Sequence, residues 1–167
     1  VAIAKYLIMV EATKVRAHFG LLSSGASVAL IQAAKAKGLP VTCDVAMHQL
    51  HLTDQLIDGF NALAHVRPPL RSAQDQALLR QGVKEGIIDA ICTHHEPLSS
   101  SAKMAPFAET QPGFSAFDTY VPFGIQLVNE GLFTPLEWVE KVTLAPARVA
   151  QMADRWADEA GWVLVDP

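Results

Sequence analysis

Apolar positions along this chain switch repeatedly between helical and strand spacing, and the alternation predicts a series of βα units. Residues 1–12 read as a helix, with Ile3, Leu7, Ile8 and Val10 near helical spacing and no N-cap ahead of them. Val15 to Gly20 reads as a strand, and Ser23-Ser24-Gly25 turns into a helix over Ala26 to Lys37, which Gly38 ends. Leu39 to Val45 is a second strand, entered through Pro40, which cannot continue a helix. Ala64-His65-Val66 reads as a short strand ending at Pro68-Pro69. Ser72 with Asp75 has the form of a capping box opening a helix to Glu85; Gly86 closes it and Ile87 to Cys92 is the next strand. Thr134-Pro135-Leu136-Glu137 sets an N-cap, a proline at the first helical position and a reciprocal glutamate in order, predicting a helix to Val142. Trp162 to Asp166 is a final strand with no helix after it.

Strands alternating with helices at this interval imply an α/β protein with a parallel sheet, whose strands read as continuous apolar runs because both faces are covered. At 167 residues and 50% hydrophobic, the chain is long enough for one domain with a core. A net charge of -4 with no basic run argues against a nucleic-acid or anionic-membrane partner. No apolar run approaches the roughly 20 residues that cross a bilayer, and no signal-peptide order is present at the start, so a cytoplasmic location is expected. Cys43 and Cys92 are too far apart for a thiol redox or zinc-knuckle motif and read as small buried hydrophobes.

Candidate chemistry gathers where the strand Asp89-Ala90-Ile91-Cys92 runs into Thr93-His94-His95-Glu96-Pro97-Leu98. By residue type alone, two histidines and a glutamate at a strand's carboxyl end point to a metal or acid/base site, since that end is where α/β barrels keep their chemistry. His48 and His51 are read as polar loop residues, and an odd offset on an extended segment would turn them to opposite faces.

Five segments change that picture: Leu50-His51-Leu52-Thr53-Asp54, Pro68-Pro69-Leu70-Arg71, Asp89-Ala90-Ile91-Cys92, Ala102-Lys103-Met104-Ala105-Pro106-Phe107 and Val163-Leu164-Val165-Asp166-Pro167. In this order they resemble the carboxyl-terminal half of a dihydroorotase, a member of the amidohydrolase superfamily of (β/α)8 barrels. The resemblance implies that residues 1–155 form barrel strands five to eight with their helices and that 156–167 begin the small accessory β domain. It also implies a zinc site in active relatives, whose His-x-His pair and carboxylated lysine belong to the other half of the barrel.

Position by position, the resemblance implies a lost site. Leu21 stands where the strand-five metal histidine belongs, and a leucine cannot coordinate metal. His18 matches a family histidine that is not the ligand. Gln49 takes the place of the strand-six metal histidine, and Arg67 that of an asparagine that bonds the substrate. His94 replaces the aspartate that binds metal and shuttles the proton, and Leu98 replaces a substrate-contacting histidine; His95 matches, and Glu96 departs from the usual small or amide residue. No metal or other cofactor is therefore expected here, and His94, His95, Glu96 and Leu98 read as a vestigial site.

The run Asp44 to Asp54 resembles the non-catalytic dihydroorotase-like proteins that act as structural partners of aspartate carbamoyltransferase in pyrimidine biosynthesis, so a pseudoenzyme is the expected reading. Enzyme status stays open against one alternative, an active metal-dependent dihydroorotase using His94, His95, Glu96 and His48 in a rearranged site. Arg67 and Arg71 form a candidate pair for a small anion, against the simpler roles of filling a vacant pocket or pairing with a loop carboxylate. Half a barrel would leave strand edges open, so contact with a missing amino-terminal half or a second copy is also expected.

Overall fold

Three short parallel strands, β1 (Ala17–Phe19), β2 (Val41–Ala46) and β3 (Ala90–Cys92), lie side by side in that order. The computed structural model describes residues 2–154. Register is fixed by Ala17 opposite Val41 on one side of β2 and Asp44 opposite Ala90 on the other. Because successive strand side chains point to opposite faces, Val41, Cys43 and Val45 fall together on one face while Thr42 and Asp44 fall on the other.

Helices cover the apolar face. α1 (Ala2–Thr13) lies beside α2 (Gly25–Ala36), which packs on β2 and on α3 (Ala73–Lys84). α4 (Phe117–Asn129) meets α5 (Pro135–Val142), and α5 and α6 (Leu144–Val149) lie against β3. Ile31, Leu79, Val83, Ile88 and Leu127 join Cys43 and Val45 in one fully buried core. α2 and α3 approach closely because Gly82 has no side chain; a Cβ there would come within 2.8 Å of Val28. A smaller cluster of Ala64, Val66 and Leu70, with Leu52, Ile57 and Phe114, lies under the loops.

The expected caps are present. Ser72 accepts from the Asp75 amide, but the Asp75 carboxylate reaches past its own helix to accept from the Gly25 amide at 2.9 Å, joining the starts of α3 and α2. Thr134 and Glu137 close a full reciprocal box.

Two expectations are corrected. Ala64-His65-Val66 is not a strand: a 3₁₀ turn occupies Ala62–Ala64, and β3 pairs directly with β2, leaving three parallel strands among the described residues. Pro68 and Pro69 offer no backbone donors to a ladder, and the His65 carbonyl is taken by Lys103 Nζ and the Gly113 amide. Residues 47–50 form a 3₁₀ turn rather than extended chain, so strand parity does not set where His48 and Gln49 point. The strand expected at Trp162 to Asp166, and with it the accessory domain of residues 156–167, lies outside the described residues. Among the described residues, no helix is long and apolar enough to cross a membrane.

Candidate functional site

β3 delivers its loop to the carboxyl end of the sheet, where Tyr120 of α4 donates to the Ile91 carbonyl at 2.7 Å and anchors the strand. His94 follows with φ +47°, in the left-handed region that histidine tolerates better than most residues. Its ring stacks on His48, with centroids 5.5 Å apart and planes 26° from parallel, and Nε2 lies 3.5 Å from Glu96. His95 turns away: Nδ1 accepts from the Ala116 and Phe117 amides at 3.0 and 3.2 Å, and its ring lies 3.9 Å over Phe117. That arrangement places the ring proton on Nε2 and makes His95 the cap of α4, whose first amides need an acceptor.

His48 is 1% exposed, and neither ring nitrogen has a hydrogen-bond partner. Burial, followed by the neighbouring His94, pulls its pKa down to about 4, so the ring is neutral at pH 7. His51 is likewise no surface residue: it stacks on Phe123 at 4.3 Å, and burial first, then Arg80, lowers its pKa. The expectation of two polar loop histidines is therefore corrected for His48, which the 3₁₀ turn of residues 47–50 buries, while His51, at the end of that turn, is half-buried.

Gln49, also 1% exposed, donates its side-chain amide to the carbonyls of Pro68 and Pro69 at 3.1 and 3.3 Å. Leu21 adopts φ +58° and gives its amide to Asp44 Oδ1 at 2.8 Å. Asp44 also accepts from His18 Nε2 at 2.8 Å and from Cys92 Sγ at 3.4 Å, while His18 Nδ1 meets the Thr42 hydroxyl at 2.9 Å. Burial raises the Asp44 pKa, but the bonds from His18, Leu21 and Cys92 together outweigh it and hold the carboxyl below its ordinary value. Cys92 is thus more than a small hydrophobe; burial and Asp44 push its pKa upward. Cys43 is fully buried, and burial, then Asp89, pushes its thiol up to about 12. Neither thiol is activated as a nucleophile.

Arg67 is exposed, and Arg71 lies 3.8 Å from Asp75 one helical turn on. Leu98 lines a cavity of about 580 Å³ with Leu63, Met104 and Phe114. The structure therefore brings His48, His94 and Glu96 together but directs His95 to α4. No group of three His, Cys, Asp or Glu is arranged to hold a metal ion among the described residues.

No family model matches the chain. Across its full length it is 44% identical to a dihydroorotase-like protein of Pseudomonas aeruginosa, over 170 residues that cover 40% of that protein. Over 150 residues, 89% of the chain, it is 40% identical to a dihydroorotase of Pelotomaculum thermopropionicum, of which it covers 35%. In sequence this chain matches a segment of dihydroorotase-family proteins. Among solved structures, an L-hydantoinase from Arthrobacter aurescens matches with TM-score 0.81 at 24% identity, over 89% of this chain and 34% of that one. The inactive dihydroorotase-like domain of a Chaetomium thermophilum CAD-like multifunctional protein matches with TM-score 0.69 at 22% identity, over 89% and 41%. At these identities the likeness is one of α/β fold.

The chain spans about two-fifths of the length of the dihydroorotase-family relatives it matches. Within this segment the residue that reading by position misses is Asp44. Its signal lies in the pattern: Thr42 and Asp44 are polar at a period of two in an otherwise apolar strand, which marks the face turned away from the helices.

Proposed function

We propose that this chain is the carboxyl-terminal half of a (β/α)8 barrel in a dihydroorotase-like pseudoenzyme of pyrimidine biosynthesis. In this reading the protein has lost catalysis and serves, in the cytoplasm, as a structural partner of aspartate carbamoyltransferase. The observation that carries it is Gln49: at a position where the family resemblance places a metal-binding histidine, a buried amide instead ties the Pro68-Pro69 segment to the fold. Leu21 and His94 support the same reading, since one offers Asp44 only its backbone amide and the other stacks on His48. Zinc belongs to the active relatives, and no cofactor is assigned to this chain.

A second reading, an active metal-dependent dihydroorotase with a rearranged site, draws on the contact between His94 and Glu96 and on the unpartnered nitrogens of His48. Metal analysis of the full-length protein with dihydroorotate and carbamoyl-aspartate turnover separates the two. The pseudoenzyme reading expects no turnover with or without added zinc, together with co-purification with aspartate carbamoyltransferase. Turnover abolished by His94→Ala would replace it with the second reading. Failure of the full-length protein to associate would remove the assembly role. Arg67 and Arg71 as an anion pair are tested by thermal shift with carbamoyl-aspartate, where a rise in Tm lost in Arg67→Ala supports binding.

A further inference from the structure

We propose that the loop of residues 52–66 is the docking surface of this protein, with Phe60 as its anchor, and that it engages a protein subunit presenting an apolar socket rimmed by lysine or arginine. The proposal rests on the assembly reading above and names the face that assembly uses.

The loop is built to hold a fixed shape. Leu52 and Ile57 pack inward on Ala64, Val66 and Leu70. The Asp54 amide donates to the Arg71 carbonyl at 2.9 Å, and Asn61 bonds both the Leu56 carbonyl and the Leu63 amide through its side chain. On this base Gly59 and Phe60 take successive left-handed conformations, φ +72° and +59°. For a phenylalanine that geometry is costly, and among the described residues nothing repays it, since Phe60 is 81% exposed. A preorganised, protruding aromatic ring is what interface anchors look like, because little ordering entropy remains to be lost on binding.

The same loop exposes a second large apolar side chain, Leu63. Leu63, 69% exposed, shares the 580 Å³ cavity with Leu98 and with Met104, 83% exposed. Leu98 is the position that the family resemblance assigns to a substrate-contacting histidine, so the change that removes a catalytic contact also extends an apolar face. Large apolar side chains exposed together on one ordered loop are what an interaction surface presents. Charge selects the occupant: residues 52–66 carry Asp54 and Asp58 and no lysine or arginine, and both aspartates are exposed around Phe60. A basic rim on the partner complements them.

The test is binding of the full-length protein to purified aspartate carbamoyltransferase, followed by sedimentation or calorimetry. Phe60→Asp is expected to weaken binding by about 30-fold or more. Asp54→Lys with Asp58→Lys should weaken it and reduce its salt dependence. Leu136→Asp, at an exposed position on α5, serves as control and should bind as wild type. Wild-type binding that Phe60→Asp leaves unchanged overturns the surface while sparing the assembly reading; absence of wild-type binding overturns both. A free Phe60→Asp protein that melts well below wild type also overturns the surface, because the ring is then packed within the protein itself.

Discussion

Gln49 gives its buried side-chain amide to the Pro68 carbonyl at 3.1 Å, and the Pro69 carbonyl stands as a second acceptor at 3.3 Å. The bond joins the turn after β2 to the proline segment ahead of α3. It turns a position that the family resemblance associates with metal into a piece of internal scaffolding.

Gln49→Ala is expected to cost about 1–3 kcal/mol, the range for stranding buried hydrogen-bond partners. Gln49→Glu should cost at least as much, since a carboxylate has no donor to offer two carbonyl oxygens. Urea unfolding of the three proteins checks the order.

Acid should destabilise the fold in a window set by His48. Its pKa lies at about 4 in the folded protein against 6.5 in an exposed chain, so between those values the unfolded state binds a proton that the folded state refuses. Stability therefore falls as pH falls from 6.5 towards 4, with a slope of at most about 1.4 kcal/mol per unit for one group. His51, also lowered, adds in the same direction. The lowered carboxyl of Asp44 acts below that window, losing its contribution only as pH drops under the ordinary carboxylate value. His48→Phe should flatten the slope above pH 4 and leave the part due to His51 and His65, whose pKa burial also lowers. Denaturation midpoints from pH 7 to 4 decide it, and an unchanged slope would exclude His48 as its source.

Asp44 ties β1, the turn after it and β3 through His18, Leu21 and Cys92. Asp44→Ala should cost about 2–3 kcal/mol by releasing those donors together. His18→Ala should cost less, because the histidine is a third exposed and water replaces its partner. A double-mutant cycle on the two residues should show coupling, and simple additivity would argue that Asp44 acts through Leu21 and Cys92 alone.

Gly124 of α4 lies against the Trp138 indole so closely that a Cβ there would overlap its Cε2, Nε1 and Cζ2 atoms. Gly124→Ala is expected to gain helix propensity yet lose about 1–3 kcal/mol or more by forcing α4 and α5 apart. A shift in tryptophan emission accompanying a lower Tm would report the displacement; a more stable variant would contradict the close approach.

Much of the framework is legible without coordinates. The caps at Ser72 and Thr134, the stops at Gly38 and Gly86, and the apolar runs at Val41 to Val45 and Ile87 to Cys92 all depend on neighbours within a few residues. α4 is not announced in that way, because Pro122 sits inside it and its starting amides are capped by His95, 21 residues earlier, rather than by a local side chain. The strand expected at Ala64 to Val66 fails for a related reason. β-branched and apolar composition says only that a segment can pair; whether it does depends on which backbone groups are free, and the His65 carbonyl has already been taken by Lys103 and Gly113.

The candidate site divides along the same line. Residue types and order are enough to place His94, His95, Glu96 and Leu98 at the end of a strand and, with the family resemblance, to mark Leu21 and Gln49 as standing where metal ligands belong. They do not tell that His95 caps a helix, that His48 is buried against His94, or that Asp44 joins three segments, since each partner lies 20 or more residues away. Local chemistry acts through the chain itself and so can be read along it. The roles of Asp44, Gln49, His48 and His95 come from hydrogen bonds and stacking between distant segments, which exist only once packing has brought them within about 3 to 6 Å of one another.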